Sequence, residues 1–232
     1  LIAFPHPLDC APDGVLAIGG DVHPDTLELA YSFGIFPWFS EGEPILWWYP
    51  NPRMVLKPAE IRITKSMRTY FNRKKFHFTL DRKFEEVITS CQIIKRPDQE
   101  GTWITGELKE SLVELHKKGI AHSVEVWNGN KLAGGLYGIA IGKIFFGESM
   151  FSRESNASKF ALIVLAKILH KKGFELIDCQ QETDHLASMG ARPIKASEFY
   201  AAIKKNLLMS ELHRHSWSDW EQVFKKNLLD FF

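Results

Sequence analysis

The longest run of purely apolar side chains in this sequence, Phe160 to Ala166, covers about two helical turns, where a bilayer span needs about 20 residues. The N-terminus carries no basic stretch leading into an apolar run and a small-residue cleavage site, so no secretory signal is expected. Only three cysteines occur, Cys10, Cys91 and Cys179, scattered and odd in number. They exclude a disulfide framework and fit a reducing compartment, so a soluble, cytoplasmic protein is expected. There is no C-x-x-C pair, and His213 and His215, with His185, read as solvated histidines instead of ligands, so no metal is expected. Net charge is also nearly absent: 29 Lys and Arg against 28 Asp and Glu give +1. Global charge therefore selects no partner, and local distribution has to.

What is present is an ordinary globular composition, 45% hydrophobic and 25% charged over 232 residues, enough for one large domain with a smaller companion. Residues 1–57 are dense in Pro, Gly and aromatics, in FPHPLDCAPDG, GIFPWF and ILWWYPNPR. One helix is predicted there, entered at Pro24, carrying Leu27, Ala30 and Tyr31, and stopped by Gly34. This segment reads as a small N-terminal domain packed on a main domain of residues 58–232. Most of its aromatics are expected in the core, with one or two lining a pocket that stacks a flat ligand.

Residues 61–80 hold Arg62, Lys65, Arg68, Arg73, Lys74 and Lys75 and no acid. A helix from about Ser66 buries Met67, Tyr70 and Phe71 and turns the basic residues to solvent, the footprint of phosphate-backbone binding or of a plain solvated face. A helix within 81–100 carries Phe84, Val87, Ile88 and Cys91, and Thr105 caps the next one, which ends at Lys117-Lys118-Gly119. Trp103, on the loop beside Gly101, is a pocket candidate or a core anchor. Strand 122–127, the tight turn Asn128-Gly129, and strands in 131–141 and 143–151 form an antiparallel meander. Gly134, Gly135 and Gly138 within it predict bulges or the close approach of a ligand. Ser152 or Ser155 is expected to cap an apolar helix, Asp184–Met189 to make a helical turn closed by Gly190, and Ser197 to cap a helix through Leu208. The tail to Phe232 packs through Trp217, Trp220, Val223 and Phe224.

In the strand from Phe174 to Gln180, alternation puts Asp178 and Gln180 on one side and Ile177 and Cys179 on the other. Gly147-Glu148-Ser149-Met150 is a second polar interruption at the end of an apolar strand. If the two strands are neighbours, an acid, an amide and a second acid meet at one sheet end.

The order of meander, helix and strand resembles the core of the GCN5-related N-acetyltransferase fold. The resemblance implies an α+β protein with a mixed, largely antiparallel sheet and flanking helices, an acyl-CoA N-acyltransferase-like core beside a small N-terminal α+β domain. That fold wraps coenzyme A pyrophosphate with a Q/R-x-x-G-x-G/A loop. Here the stretch is Arg153-Glu154-Ser155-Asn156-Ala157-Ser158, without either glycine, which argues against a coenzyme A donor. More narrowly, GGD at 19–21, GIFPWFS at 34–40, ILWW at 45–48, EGTWIT at 100–105, AHSVEVW at 121–127, GGLYG at 134–138, GESMFS at 147–152, NASK at 156–159, LIDCQ at 176–180 and HLASMGA at 185–191 resemble the leucyl/phenylalanyl-tRNA-protein transferases. Leu136, where some relatives carry Met, and the polar Gln181-Glu182 depart from the pattern.

That resemblance implies a bacterial enzyme moving Leu or Phe, with Met also of suitable size, from aminoacyl-tRNA to the α-amine of proteins beginning with Arg or Lys, creating a degradation signal. The ester donor is already activated, so no cofactor is implied, and neither a membrane nor DNA is a partner. Asp178 holds and deprotonates the amine, directly or through a relay, with Gln180 aligning it. Glu148 attracts the basic acceptor residue. Phe145, Met150, Leu162 and Ile177 match the pocket for the apolar side chain, Trp38 and Trp103 positions against the terminal adenosine or the acceptor, and Arg62 to Lys75 the tRNA grip. The alternatives are an acetyl-CoA-dependent N-acetyltransferase and a non-catalytic adaptor for tRNA or basic N-termini.

Overall fold

The computed structural model describes residues 3–94, 102–208 and 215–226. Gly101, His213 and the tail beyond 226, on which expectations were placed, lie outside the described residues. The chain opens with β1 (Val15–Ile18), α1 (Pro24–Ser32), β2 (Phe36–Pro37), β3 (Leu46–Trp48) and β4 (Arg53–Leu56). It continues with α2 (Lys65–Asn72), β5 (His77–Leu80), α3 (Phe84–Ile93), α4 (Gly106–Lys117) and the strands β6 (Ala121–Asn128), β7 (Lys131–Ile141) and β8 (Ile144–Ser152). Then come α5 (Ala157–Lys171), β9 (Leu176–Gln180), α6 (Asp184–Ser188), β10 (Arg192–Ile194), α7 (Ala196–Leu208) and α8 (Ser218–Lys226).

Local signals account for most of these boundaries. Pro24 opens α1 and Gly34, at φ +76°, ends it; Thr64 and Thr105 cap α2 and α4 by accepting from the amides of Met67 and Leu108. Two helix starts differ from expectation. Residue 156, in the left-handed region at φ +68°, is the N-cap of α5 without a side-chain cap bond, and Ser152 Oγ instead accepts from the Ser158 amide at 3.1 Å. The expected Ser152 hydroxyl thus satisfies a first-turn amide of α5 from before the turn, while asparagine tolerates the turn's positive φ. Helix α7 begins at Ala196, whose amide donates to Asn51 Oδ1, so Ser197 lies inside it.

Two sheets result. Strands β1, β3 and β2 make a small antiparallel sheet from the N-terminal segment, and seven strands form the large one in the order β10-β4-β9-β8-β7-β6-β5. All neighbours in the large sheet are antiparallel except β8 and β9, so the sheet is mixed and largely antiparallel. Strand β4 precedes the expected domain limit at residue 57 yet pairs with β9 and β10 in the large sheet. Helices cover both faces. Val87, Ile88, Leu112 and Leu115 of α3 and α4, with Tyr31 of α1, pack on one side, and α5, apolar almost all round, lies on the other beside α2 and α8. Trp217, Trp220 and Phe224 are buried there as expected.

The meander glycines are explained by the protein itself. A methyl at Gly134 would stand 2.6 Å from Ala157 Cβ, and one at Gly138 would stand 2.1 Å from the Phe146 carbonyl and 2.6 Å from the Phe145 ring. The expected close approach at these positions is thus made by neighbouring strands and α5, not by a ligand. Gly138→Ala should lower unfolding free energy by at least the ~1–3 kcal/mol typical of overpacking. Gly106→Ala, with open space around it, should be neutral or slightly stabilising; urea midpoints of the two variants check this.

Candidate active site

Strands β8 and β9 pair at Ile144 with Leu176, Phe145 with Ile177 and Phe146 with Asp178. Beyond that point the strands part company: Gly147 and its successors follow β7, and Gln180 follows β4. Each departing strand carries one surplus residue. Tyr137 pairs with Ser149 and Gly138 with Gly147, leaving Glu148 as a bulge. Met54 pairs with Gln180 and Val55 with Asp178, leaving Cys179 as the other. Bulges re-aim side chains, and with Gln180 at φ +61° the strict alternation expected of this strand ends here. Asp178, Cys179 and Gln180 all line one cleft with Glu148.

That cleft has a volume of about 400 Å³. Phe145, Met150, Leu162 and Ile177 line its apolar part, joined by Leu136 and Leu165, and Trp38 and Trp103 line it as well. Trp38 is partly exposed and tilts against Trp48 at 5.6 Å between ring centres, whereas Trp103 is largely buried. The structure therefore brings together nine residues singled out from the sequence. The six basic residues, Arg62, Lys65, Arg68, Arg73, Lys74 and Lys75, are all exposed on and around α2, outside the cleft lining. Lys75 also reaches Glu154 at 3.6 Å and sits over Tyr70 and Phe76. Of the histidines weighed earlier, His185 lines the cleft and His215 packs edge-on to Trp220.

The polar groups divide into two kinds. Asp178 is fully buried; Oδ1 accepts from Arg53 Nε at 2.8 Å and from the Gln180 amide at 3.0 Å, and Oδ2 accepts from Arg53 Nη2 at 2.6 Å. Arg53 thus donates to both oxygens of the carboxylate expected to deprotonate the amine, directly or through a relay. Glu148 is different: its Oε1 accepts from Gln180 Nε2 at 2.8 Å. Burial, foremost, and the Asp178 charge push its carboxyl up to about 7, against the opposing pull of the Tyr31 hydroxyl, Gln180 and Arg53. The Tyr31 hydroxyl faces Glu148 without a hydrogen bond of good geometry. Burial also raises the Cys179 thiol, which makes it a poor nucleophile.

Arg53 escaped the sequence reading. The only signal was a basic residue opening the apolar strand Met54-Val55-Leu56, where a solvated side chain has no place. Its side chain is fully buried and donates to the Gly34 carbonyl at 2.9 Å, with the rings of Phe36, Tyr49 and Phe199 around the guanidinium. Ser149, Thr183 and His185 on the cleft wall, and Tyr31 behind Glu148, were also missed.

A parted strand pair that offers an amide and an acid beside a chamber sized for an apolar group defines an acyl-transfer enzyme. The family model described as leucyl/phenylalanyl-tRNA protein transferase matches residues 55–204, and the model of that family's N-terminal domain matches residues 20–51. Proteins named leucyl/phenylalanyl-tRNA–protein transferase from Syntrophus aciditrophicus and Hydrogenovibrio crunogenus are 55% and 47% identical to this chain. The alignments cover 97% and 96% of it, and 94% and 89% of those proteins. The chain belongs to the leucyl/phenylalanyl-tRNA protein transferase family, and is a tRNA-dependent aminoacyltransferase. Among solved structures, a GCN5-related N-acetyltransferase from Kribbella flavida has a TM-score of 0.37 at 10% identity, over 62% of this chain and 55% of its own. L-PGS from Bacillus licheniformis reaches 0.41 at 14%, over 87% and 61%. Both likenesses are too distant to bear on function.

Breaking a buried ion pair from one side strands the other charge, at about 3–5 kcal/mol. Arg53→Met should lower unfolding free energy by that amount in urea denaturation. A loss below ~1 kcal/mol would show that Asp178 is stabilised without Arg53.

Proposed function

We propose that this enzyme transfers Leu or Phe from aminoacyl-tRNA to the α-amine of proteins that begin with Arg or Lys, marking them for degradation in the cytoplasm. What carries the reading is the convergence of Glu148, Gln180 and the apolar chamber on one cleft beside Trp38 and Trp103. Neither the chamber nor the basic surface alone would select this reaction.

In this reading the donor's side chain fills the chamber of Phe145, Met150, Leu162 and Ile177. A chamber without a polar probe discriminates by volume, at about 1–3 kcal/mol per methylene, which suits Leu and Phe and tolerates Met. Trp38 and Trp103 flank the terminal adenosine, where a ring face stacks on a base. The acceptor's positive end is drawn to Glu148, and the Gln180 carbonyl oxygen receives its amine, since Gln180 Nε2 is committed to Glu148. Asp178 contributes by fixing Gln180 through its backbone amide. Orientation does most of the work, because an ester converts to an amide without an external energy source. No helix among the described residues is long and apolar enough to cross a membrane.

The test is incubation with leucyl-tRNA and a peptide beginning with Arg. A mass gain of one Leu residue is expected, with no gain on the same peptide begun with Asp; absence of any gain with Arg or Lys would overturn the reading. The exposed basic surface on α2 makes a second forecast. Arg68→Gln with Arg73→Gln should weaken every charged tRNA alike and reduce the slope of log affinity against log salt by roughly 1 per charge removed. Filter binding over a salt series checks it, and loss confined to one tRNA would contradict it.

A further inference from the structure

The established chemistry requires a proton to leave the attacking nitrogen and another to reach the departing ribose oxygen. Two carboxylates line the cleft beside Gln180, and the structure treats them unlike each other. Asp178 is consumed by Arg53, with donors on both oxygens and no exposure. Glu148 stands outside the strand ladder at a bulge and accepts a hydrogen bond from Gln180 Nε2. That bond sets it beside the same amide whose oxygen would receive the amine.

We propose that Glu148 is the catalytic residue that accepts the proton of the attacking amine and returns it to the leaving ribose oxygen, while Arg53, by engaging Asp178, acts as a positioning residue. The proposal rests on the transfer reading above and specifies its chemistry. The neutral amine forms a C–N bond to the ester carbonyl carbon, and the adduct's surplus N–H proton passes to the Glu148 carboxylate. When the C–O bond to the terminal ribose breaks, the departing oxygen takes that proton from Glu148. Amide, free tRNA end and Glu148 carboxylate result, with every atom and electron pair accounted for.

The surroundings suit a group that must both take and give. Facing Glu148 are the Tyr31 hydroxyl from α1, Asp178 from β9 and Arg53 from β4, with Cys179 and His185 also on the cleft wall and Tyr137 next to Tyr31. The positive Arg53 and the negative Asp178 largely cancel one another. Glu148 is left in low dielectric near neutrality, where it is partly ionised at working pH and neither form is locked.

The experiment measures kcat for transfer of Leu to an Arg-starting peptide from pH 5.5 to 9, for the wild type and for Glu148→Gln. The acceptor amine titrates in both, so it cancels in the ratio of the two rates. The expected ratio is a plateau of about 100-fold or more at high pH, falling about tenfold per pH unit below the carboxyl's value near 7. Asp178→Asn removes a charge that raises the Glu148 carboxyl, so its own rate profile should keep the step, moved to lower pH. A flat ratio for Glu148→Gln, or a step that vanishes with Asp178→Asn, would overturn the assignment. Should Glu148→Gln fail to fold by thermal unfolding, Glu148→Asp serves. Its step should move along the pH axis, and an unmoved step would overturn the assignment. A wild-type chain that adds no residue at any pH would overturn the transfer reading and this inference with it; transfer with a flat ratio would overturn the inference alone.

Discussion

A guanidinium with no exposure is costly to bury, and everything around Arg53 is arranged to offset that cost. Two bonds to Asp178, one to the Gly34 carbonyl and three aromatic faces compensate for lost water. Nη1 alone lacks a partner. The groups that satisfy Arg53 come from places far apart in the chain: Gly34 and Phe36 after the first helix, Tyr49 after the small sheet, Asp178 from the parted strand, Phe199 from α7. One side chain therefore fixes the N-terminal segment, the reacting edge of the sheet and a C-terminal helix in a single relation. Asp178 is fixed by the same contacts, and through its backbone bond so is Gln180.

This places the electrostatics of the cleft in two layers. The inner layer is a closed ion pair whose two side chains have no exposed surface. The outer layer is Glu148 and the Gln180 amide, which share a hydrogen bond and face open space. The ordering is favourable for chemistry on an amine, because an uncompensated second carboxylate at this depth would hold the arriving ammonium in its charged, unreactive form. The apolar chamber lies directly beside the outer layer, between β7, β8 and α5.

Much of the fold was legible because its causes are local. The hairpin at Asn128-Gly129, the capping threonine of α4, and the all-round apolar face of α5 are each written within a few residues. The neighbours of β9 are not. Its parallel pairing with β8 and its antiparallel pairing with β4 are decided by contacts more than 30 and more than 120 positions away along the chain, beyond the reach of periodicity. For the same reason Asp178 looked like a free carboxylate, since its partner lies 125 residues earlier. Strand pattern alone points to Asp178, Gln180 and Glu148, and family resemblance to the chamber residues; neither says anything of the bulges that aim them. Tyr31 was read as a core position, correctly by burial, while its hydroxyl faces Glu148.

The bulges at Glu148 and Cys179 have a further consequence for how such an enzyme can change over time. A residue surplus to a ladder takes no part in the register that keeps the two strands aligned, so its replacement leaves the weave intact. The scaffold and the reagents are, in that sense, separately heritable: a new side chain at either site can be tried without first solving the folding problem again.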